Sequence, residues 1–538
     1  MIFLTPALVL LSLVLSSVSA QRSSVKQNEH PYAPYSVQCP TKSSLTRPAN
    51  CLNHHESAYV LARRKKASHF LDQWLHKTVP EWPLEDCNTP TLALALSGGG
   101  TKAGLTNAGV IQNLDGRESG KSSVKDLLQS VTYVSALSGG ALTLSGIMAN
   151  DFAKVSVLKK ELYNRSFQNP FGIALNNSKV LLADVASKTA AGYPATLLDV
   201  YGRTNGYNFI GAAPAGADGL TWSNITTQPS FKDHEAPFPI ITISQANVEA
   251  NQCEPTEMGA IWEVSPFEFG SWDEKVDAFF PTRYMGSTNG RGSKTCTAGF
   301  DNIGFITGAS SNILTGPGKC FPRNFTKSDL SALATVIDVT FPSNVLLNPY
   351  AIIPNPFHLD PKAGVIRKQK SLYGTDGGDT GQSILLFPFL QPERRVDVIL
   401  AIDAQTYAPG NVTNGSAIYN TFLSAQANGL AKMPLIPSPA EYKAQNLSSR
   451  AQFFGCYEEG KTTIVYLPND LSSRISNQQY FFSPEEIEYL FVGGRDLITQ
   501  EGDEEWPGCL ACGIMHKESS ALPGSCGRCL EKYCWKPS

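Results

Sequence analysis

Two stretches decide how this chain is read: Thr91-Leu92-Ala93-Leu94-Ala95-Leu96 runs into Ser97-Gly98-Gly99-Gly100, and Val131-Thr132-Tyr133-Val134-Ser135-Ala136-Leu137 runs into Ser138-Gly139-Gly140. Each is a short apolar run that stops at glycines, as a buried strand does before a sharp turn. Ala141-Leu142-Thr143-Leu144-Ser145-Gly146-Ile147-Met148 follows the second run and reads as a buried helix. Further strand-like runs are Phe238–Ser244, Val336–Phe341, Val396–Ile402 and Thr463–Leu467. Strands alternating with helical segments predict an α/β fold with a largely parallel sheet. Upstream, helical spacing holds from His55 to Val79, with Val60, Leu61, Ala67, Phe70, Leu71, Trp74 and Leu75 near one face. The cluster Arg63-Arg64-Lys65-Lys66 in this helix reads as a solvated face, with a membrane-surface patch as the alternative. Residues about 165–360 are rich in Gly, Pro, Asn and aromatics and read as cap loops and insertions on the core.

Composition narrows the class. Of 538 residues 42% are hydrophobic and 17% charged, which supports a large core and excludes coiled coil, collagen and disordered acidic chains. A net charge of -3 argues against a nucleic-acid binder. Met1–Ala20 is almost wholly apolar, ends Val18-Ser19-Ala20 and gives way to Gln21-Arg22-Ser23-Ser24. This is the pattern of a secretory signal, a membrane anchor being the alternative. No later run is long enough to span a bilayer, and Cys534-Trp535-Lys536-Pro537-Ser538 lacks the apolar tail of a lipid-anchor signal. The expected organisation is a signal peptide (1–20), an irregular segment (21–38) and one domain (39–538) ending in a Cys-rich tail (505–538). Asn-x-Ser/Thr acceptors stand at Asn164, Asn176, Asn224, Asn324, Asn411, Asn414 and Asn446. The 12 cysteines suit disulfides in an oxidising compartment. Cys509-x-x-Cys512 and Cys526-x-x-Cys529 imitate a zinc ribbon, but behind a signal peptide disulfides are the preferred reading.

Three segments carry chemistry. Ala-Leu-Ser-Gly-Gly occurs twice, at Ala95–Gly99 and Ala136–Gly140. A serine on a strand-to-helix turn exposes its hydroxyl, and flanking glycines let a carbonyl approach. Ser138 has glycine at +2 but Ala136 at −2, so the Gly-x-Ser-x-Gly elbow is half met and a simple turn is the plainer reading of the motif alone. Consecutive amides at Gly98-Gly99-Gly100 could face one anion, a phosphate or a developing oxyanion. A nucleotide loop is disfavoured, because Lys102 follows Thr101 and precedes Ala103, and no clean dinucleotide fingerprint is present. Thr375-Asp376-Gly377-Gly378-Asp379-Thr380-Gly381 offers a carboxylate in a turn; it fits a loop, and it is too short for an EF-hand. None of the 8 histidines stands in a metal pattern. A Ser–His–Asp triad using His234 or His358 stays open, since triads are spatial.

Together, Ser97-Gly98-Gly99-Gly100, Leu137-Ser138-Gly139-Gly140 and Asp376-Gly377-Gly378 resemble the secreted fungal lysophospholipase, or phospholipase B, family, related to animal cytosolic phospholipases and patatin. Pro266-Phe267-Glu268-Phe269-Gly270-Ser271-Trp272-Asp273, Gly299-Phe300-Asp301-Asn302, Leu390-Gln391-Pro392-Glu393-Arg394, Phe453-Phe454-Gly455-Cys456 and Tyr533-Cys534-Trp535 are similar to that family too. The resemblance runs from about residue 39 to the end. It implies a patatin-like three-layer α/β core with large cap insertions, and a Ser–Asp dyad without histidine. Ser138 would be the nucleophile, Asp376 its base, and the amides of Gly99 and Gly100 the oxyanion hole. Lys102 stands where the family has an arginine thought to meet the lipid phosphate; it keeps the charge but loses the bidentate fork. Ala136 replaces a usual glycine, and its methyl is expected to strain the elbow; Ala141-Leu142 replaces a usual Ser-Trp. The implied function is an exported carboxylic ester hydrolase, acting without a cofactor on lysophospholipids and phospholipids at micelle or membrane surfaces. The alternative is a catalytically impaired lipid- or surface-binding glycoprotein of the same fold.

Overall fold

The computed structural model describes residues 31–40, 44–82, 89–168, 176–211, 214–246, 258–288, 294–315, 348–405, 413–469, 475–476, 479–519 and 522–537. Its strands are β1 (Tyr35–Gln38), β2 (Arg47–Pro48), β3 (Leu92–Leu96), β4 (Val131–Ala136), β5 (Phe238–Ala246), β6 (Met258–Val264), β7 (Glu268–Ser271), β8 (Ala278–Pro281), β9 (Thr295–Ala298), β10 (Ala351–Pro354), β11 (Ser371–Thr375), β12 (Val398–Asp403), β13 (Gln452–Phe454) and β14 (Thr463–Pro468). The helices used below are α1 (His54–Thr78), α2 (Gly100–Leu114), α3 (Ser138–Ala149), α4 (Leu197–Asn205), α5 (Ile303–Ser310), α6 (Pro484–Thr499), α7 (Trp506–Met515) and α8 (Cys526–Tyr533).

One sheet of 12 strands among the described residues runs β13-β14-β12-β3-β4-β5-β6-β7-β8-β2, with the β10–β11 hairpin joined to β5 through β11. From β14 to β5 neighbouring strands are parallel. Every residue of β3, β4, β5, β12 and β14 is buried, as a parallel sheet covered on both faces requires. The fold is therefore α/β with a largely parallel centre. Chain order runs one way from β3 through β4 to β5 and the other way from β3 to β12, so the crevice at the C-terminal end of β3 is the switch point where such sheets hold ligands.

The runs predicted at residues 91, 131, 238, 396 and 463 are β3, β4, β5, β12 and β14, while Val336–Phe341 lies outside the described residues. Residues 165–360 are more than a cap: β5 through β8 lie within them and continue the sheet, antiparallel from β6 onward. Short strands such as β7 and β8 show too little alternation to register as periodic. The predicted amphipathic helix is α1, capped by Asn53, whose side chain accepts the His55 N–H at 2.7 Å. Its basic cluster is not one solvated face. Arg63 is fully buried and donates to the carbonyls of Val131, Gln129 and Glu235 at 3.0, 2.7 and 2.9 Å, clamping the entry to β4 against that to β5. Lys66 donates to the Asp233 carbonyl at 2.7 Å and pairs with Glu235. Arg394, in one of the stretches that resemble the lysophospholipases, is a second buried clamp. It bridges Glu56 of α1 at 2.8 Å and Glu263 of β6 at 2.7 Å.

Disulfides fasten the periphery. Cys39–Cys296 secures the small β1–β9 sheet, and Cys456–Cys534 ties the C-terminal tail to the turn after β13. The two Cys-x-x-Cys pairs bond each other, Cys509–Cys529 and Cys512–Cys526, joining α7 to α8 as disulfides rather than as zinc ligands. Among the described residues no helix is long and apolar enough to cross a membrane, and no group of three His, Cys, Asp or Glu side chains could hold a metal ion. Met1–Ala20 lies outside the described residues.

Candidate active site

The site forms where β3, β4 and β11 end side by side. β3 leads into Gly99 (φ 124°) and Gly100 (φ 71°), and α2 begins there. A Cβ on Gly99 would lie 3.0 Å from that of Ala103 and 3.1 Å from the Gln405 backbone, so both the conformation and the space demand glycine. The Gly99 and Gly100 amides find no backbone acceptor among the described residues. They sit at the start of a helix, where the first N–H groups have no intrahelical partner and attract negative charge.

β4 turns into α3 at Ser138, whose φ is +52°. A side chain in the left-handed region marks stored strain, and such residues concentrate at functional sites. The strain is held by its neighbours. The Ser138 N–H donates to the Ser310 Oγ at 3.1 Å, and the Ser310 hydroxyl donates to the Thr242 carbonyl at 2.7 Å. A Cβ on Gly98 would come within 2.8 Å of the Ser138 Cβ, and one on Gly139 within 2.2 Å of the Gly100 carbonyl. The triglycine turn and the Ser138 turn thus lie against each other.

Asp376 follows β11, which pairs antiparallel with β5 through Thr375 and Ser244. That pairing delivers the carboxyl to the end of β4. Asp376 accepts the Gly378 N–H at 2.7 Å, and the Ser138 side chain stands near enough to act on its carboxyl. Burial first, and the nearby Asp379 second, push its carboxyl up to about 7, while Ser138 and the Gly378 N–H pull in the other direction. A carboxyl so placed is a far stronger base than an exposed aspartate. Buried Tyr201 of α4 and Tyr480 just before α6 stand in electrostatic reach of Asp376.

The other candidates sort themselves. Lys102, in the first turn of α2, is buried, and burial lowers its amine to about 8. Ser97 is fully buried; its hydroxyl donates to the Gly98 carbonyl at 3.1 Å and accepts the Ala404 N–H at 2.8 Å. His234 packs its ring on Tyr59 beside α1, and a ring nitrogen of His358 lies 3.1 Å from the Arg367 carbonyl. Neither histidine is among the groups that act on Asp376, whereas Ser138 is. Ala136 closes β4 with no positive φ, so the expected strain falls on Ser138, two residues on.

Residues 92–538 match the family described as "Lysophospholipase catalytic domain". The chain belongs to the lysophospholipase family. Family membership makes it a hydrolase. Lysophospholipase 2 of Candida albicans is 31% identical over 94% of this chain and 88% of its own length. A lysophospholipase of Penicillium chrysogenum is 30% identical over 94% of this chain and 90% of its own. Among solved structures, human GIVD cytosolic phospholipase A2 superposes with a TM-score of 0.68 at 17% identity, covering 90% of this chain and 72% of that one, a likeness of fold. Within this lysophospholipase fold, Ser310, Thr242, Tyr201 and Tyr480 join the site without any sequence signal, since each comes from a distant element. Asp379 and Thr375 stood in the quoted acidic motif and drew no role from it.

Proposed function

We propose that this lysophospholipase-family protein is a secreted glycoprotein that releases fatty acids from lysophospholipids and phospholipids through Ser138 and Asp376. The observation that carries the reading is the strained Ser138 standing beside a buried, basic Asp376 on which its side chain acts, next to the Gly99 and Gly100 amides that have no backbone acceptor among the described residues. Asp376 takes the hydroxyl proton as Oγ bonds to the ester carbonyl carbon. The carbonyl oxygen becomes an anion that the two glycine amides receive, a contribution of about 10²–10³ in rate for one such donor. As the C–O bond breaks, Asp376 hands the proton to the leaving glycerol oxygen. Water, deprotonated by Asp376, then cleaves the acyl-enzyme and frees the fatty acid. Lys102 is assigned to the head-group phosphate, its lowered amine regaining full charge when an anion arrives.

Export is supported by the apolar Met1–Ala20 and by the disulfides. Asn164, Asn176, Asn224, Asn414 and Asn446 are all exposed, as glycan acceptors must be, while Asn324 and Asn411 lie outside the described residues. The test is hydrolysis of lysophospholipid micelles by the purified protein and by Ser138→Ala and Asp376→Ala. Each variant is expected to lose at least about 10³-fold in kcat, and a fluorophosphonate should label Ser138. Undiminished turnover in both variants refutes the assignment. A wild-type protein that binds the lipid without cleaving it or taking the label would be a binding protein of the same fold.

A further inference from the structure

The acidic turn holds a second carboxylate that the reaction above does not use. The Asp379 N–H donates to the Asp376 carbonyl at 3.2 Å, closing a turn from one acid to the other. One oxygen of Asp379 receives the Thr315 hydroxyl at 2.5 Å and also the Thr375 hydroxyl. Those hydroxyls lie 2.7 Å apart, and both threonines are buried. Thr375 is the residue before Asp376, and Thr315 comes from beyond α5, so Asp379 ties the base's turn to a separate part of the fold. Two hydroxyl donors on one oxygen favour the ionised carboxylate. We propose that Asp379 acts on the reaction through Asp376: its carboxylate, gripped by Thr315 and Thr375, fixes the turn that carries the base and places a second negative charge beside it. The inference rests on the reading of Asp376 as the base.

The groups around Asp376 bear this out. The Gly378 N–H, hydrogen-bonded at 2.7 Å, and the Ser138 side chain from α3 both favour the Asp376 carboxylate. Tyr201 from α4 and Tyr480 from the segment before α6 both hold their protons more tightly than free tyrosine and are neutral at working pH. Burial does most to make Asp376 hold its proton, and Asp379 is the charged neighbour that adds to it. A like charge next to a carboxylate strengthens it as a base at the cost of keeping it protonated to higher pH. Removing that charge therefore has two effects of opposite sign. Asp376 ionises at lower pH, which raises the reactive fraction in acid. It also becomes a weaker base, which lowers the plateau rate. A residue that merely propped up the loop would lower the rate equally at every pH.

The experiment is the pH profile of kcat/KM from about pH 4 to about pH 9 on a monomeric short-chain lysophospholipid. It compares wild type, Asp379→Asn, Asp379→Glu and Asp376→Ala, with folding checked by circular dichroism. Asp379→Asn keeps an oxygen for the threonine hydroxyls and loses the charge. Its acid limb is expected to move down by about 0.5–1 pH unit, its plateau to fall about 2–5-fold, and the two curves to cross. Asp379→Glu should restore the limb toward wild type. An acid limb that stays in place in folded Asp379→Asn overturns the proposal. Should Asp379→Asn not fold, Thr315→Val tests the grip alone: kcat should drop several-fold at unchanged KM, and an unchanged kcat counts against the proposal. Full activity in Asp376→Ala would instead defeat the reading of the base, a separate failure.

Discussion

Ala95–Gly99 and Ala136–Gly140 are the same five residues with opposite fates. In the first copy the serine continues the strand's hydrogen bonding. The Ser97 N–H donates to the Ile402 carbonyl at 3.2 Å, and its own carbonyl accepts the Gly140 N–H and the Asn107 side chain, each at 3.0 Å. Its helix starts three residues later, at Gly100, so the glycines form the bend; the Gly98 N–H donates to the Ser383 carbonyl at 2.7 Å, which leaves the Gly99 and Gly100 amides without a backbone acceptor among the described residues. In the second copy the helix starts at the serine, which must itself take the left-handed backbone and project from the turn. The point at which the helix begins, rather than the motif, sets the two turns apart, and under the proposed function it fits one copy to be an anion cradle and the other to mount a nucleophile.

Exchanging the serines is the strongest way to break this comparison. Ser138→Ala should abolish turnover and fluorophosphonate labelling, while Ser97→Ala should retain both within about ten-fold. The reverse pattern would interchange the two roles. Gly139→Ala comes next. Its methyl is driven into the Gly100 carbonyl, 2.2 Å away, which forces the two turns apart. A loss of about 1–3 kcal/mol in stability and at least ten-fold in kcat is expected from denaturant titration and assay; wild-type values would mean that the turns are not pressed together. Asp376→Asn sharpens the comparison from the side of stability. A carboxyl held at about 7 when folded, against about 3.9 unfolded, binds its proton more tightly in the native state. Stability is therefore lost as pH rises from about 4 to about 7, and the full penalty stands above that. The variant should melt higher than wild type at pH 8, by on the order of a few kcal/mol, with the gap closing at pH 4. An equal gap at both values would show that burial does not act through the charge. The smallest effect belongs to Ser97→Ala, which strands the Ala404 N–H in the interior and should cost about 1–2 kcal/mol on chemical denaturation.

Much of this was legible before any coordinates. The parallel strands announce themselves because both faces are buried and the runs are apolar throughout, whereas Ser138, Asp376 and the glycine turn each read alone as simple turns and stood out only together, through the resemblance to the lysophospholipases. Three things were not legible, each for a physical reason. The antiparallel strands β6 to β8 are short and aromatic-rich, so neither period shows. Arg63 reads as one of four adjacent cations, and only the fold reveals that a ring of carbonyls replaces its water. Ser310 sits on the last turn of α5 and meets Ser138 across 172 positions of sequence, a distance over which no local pattern carries information.

The sheet's two margins carry a further consequence. At one end stands β2, two residues long, with a proline that has no N–H to offer. At the other, β13 is flanked by the chain's own tail: Phe453 bridges to Cys534, the Trp535 N–H donates to the Phe453 carbonyl at 3.0 Å, and Cys534 is bonded to Cys456. An open sheet this wide is a template for other chains unless its rims are blunted. Here one rim is blunted by an imino acid and the other by a covalent latch, so reductant should turn a well-behaved solution cloudy well before it silences the catalytic crevice.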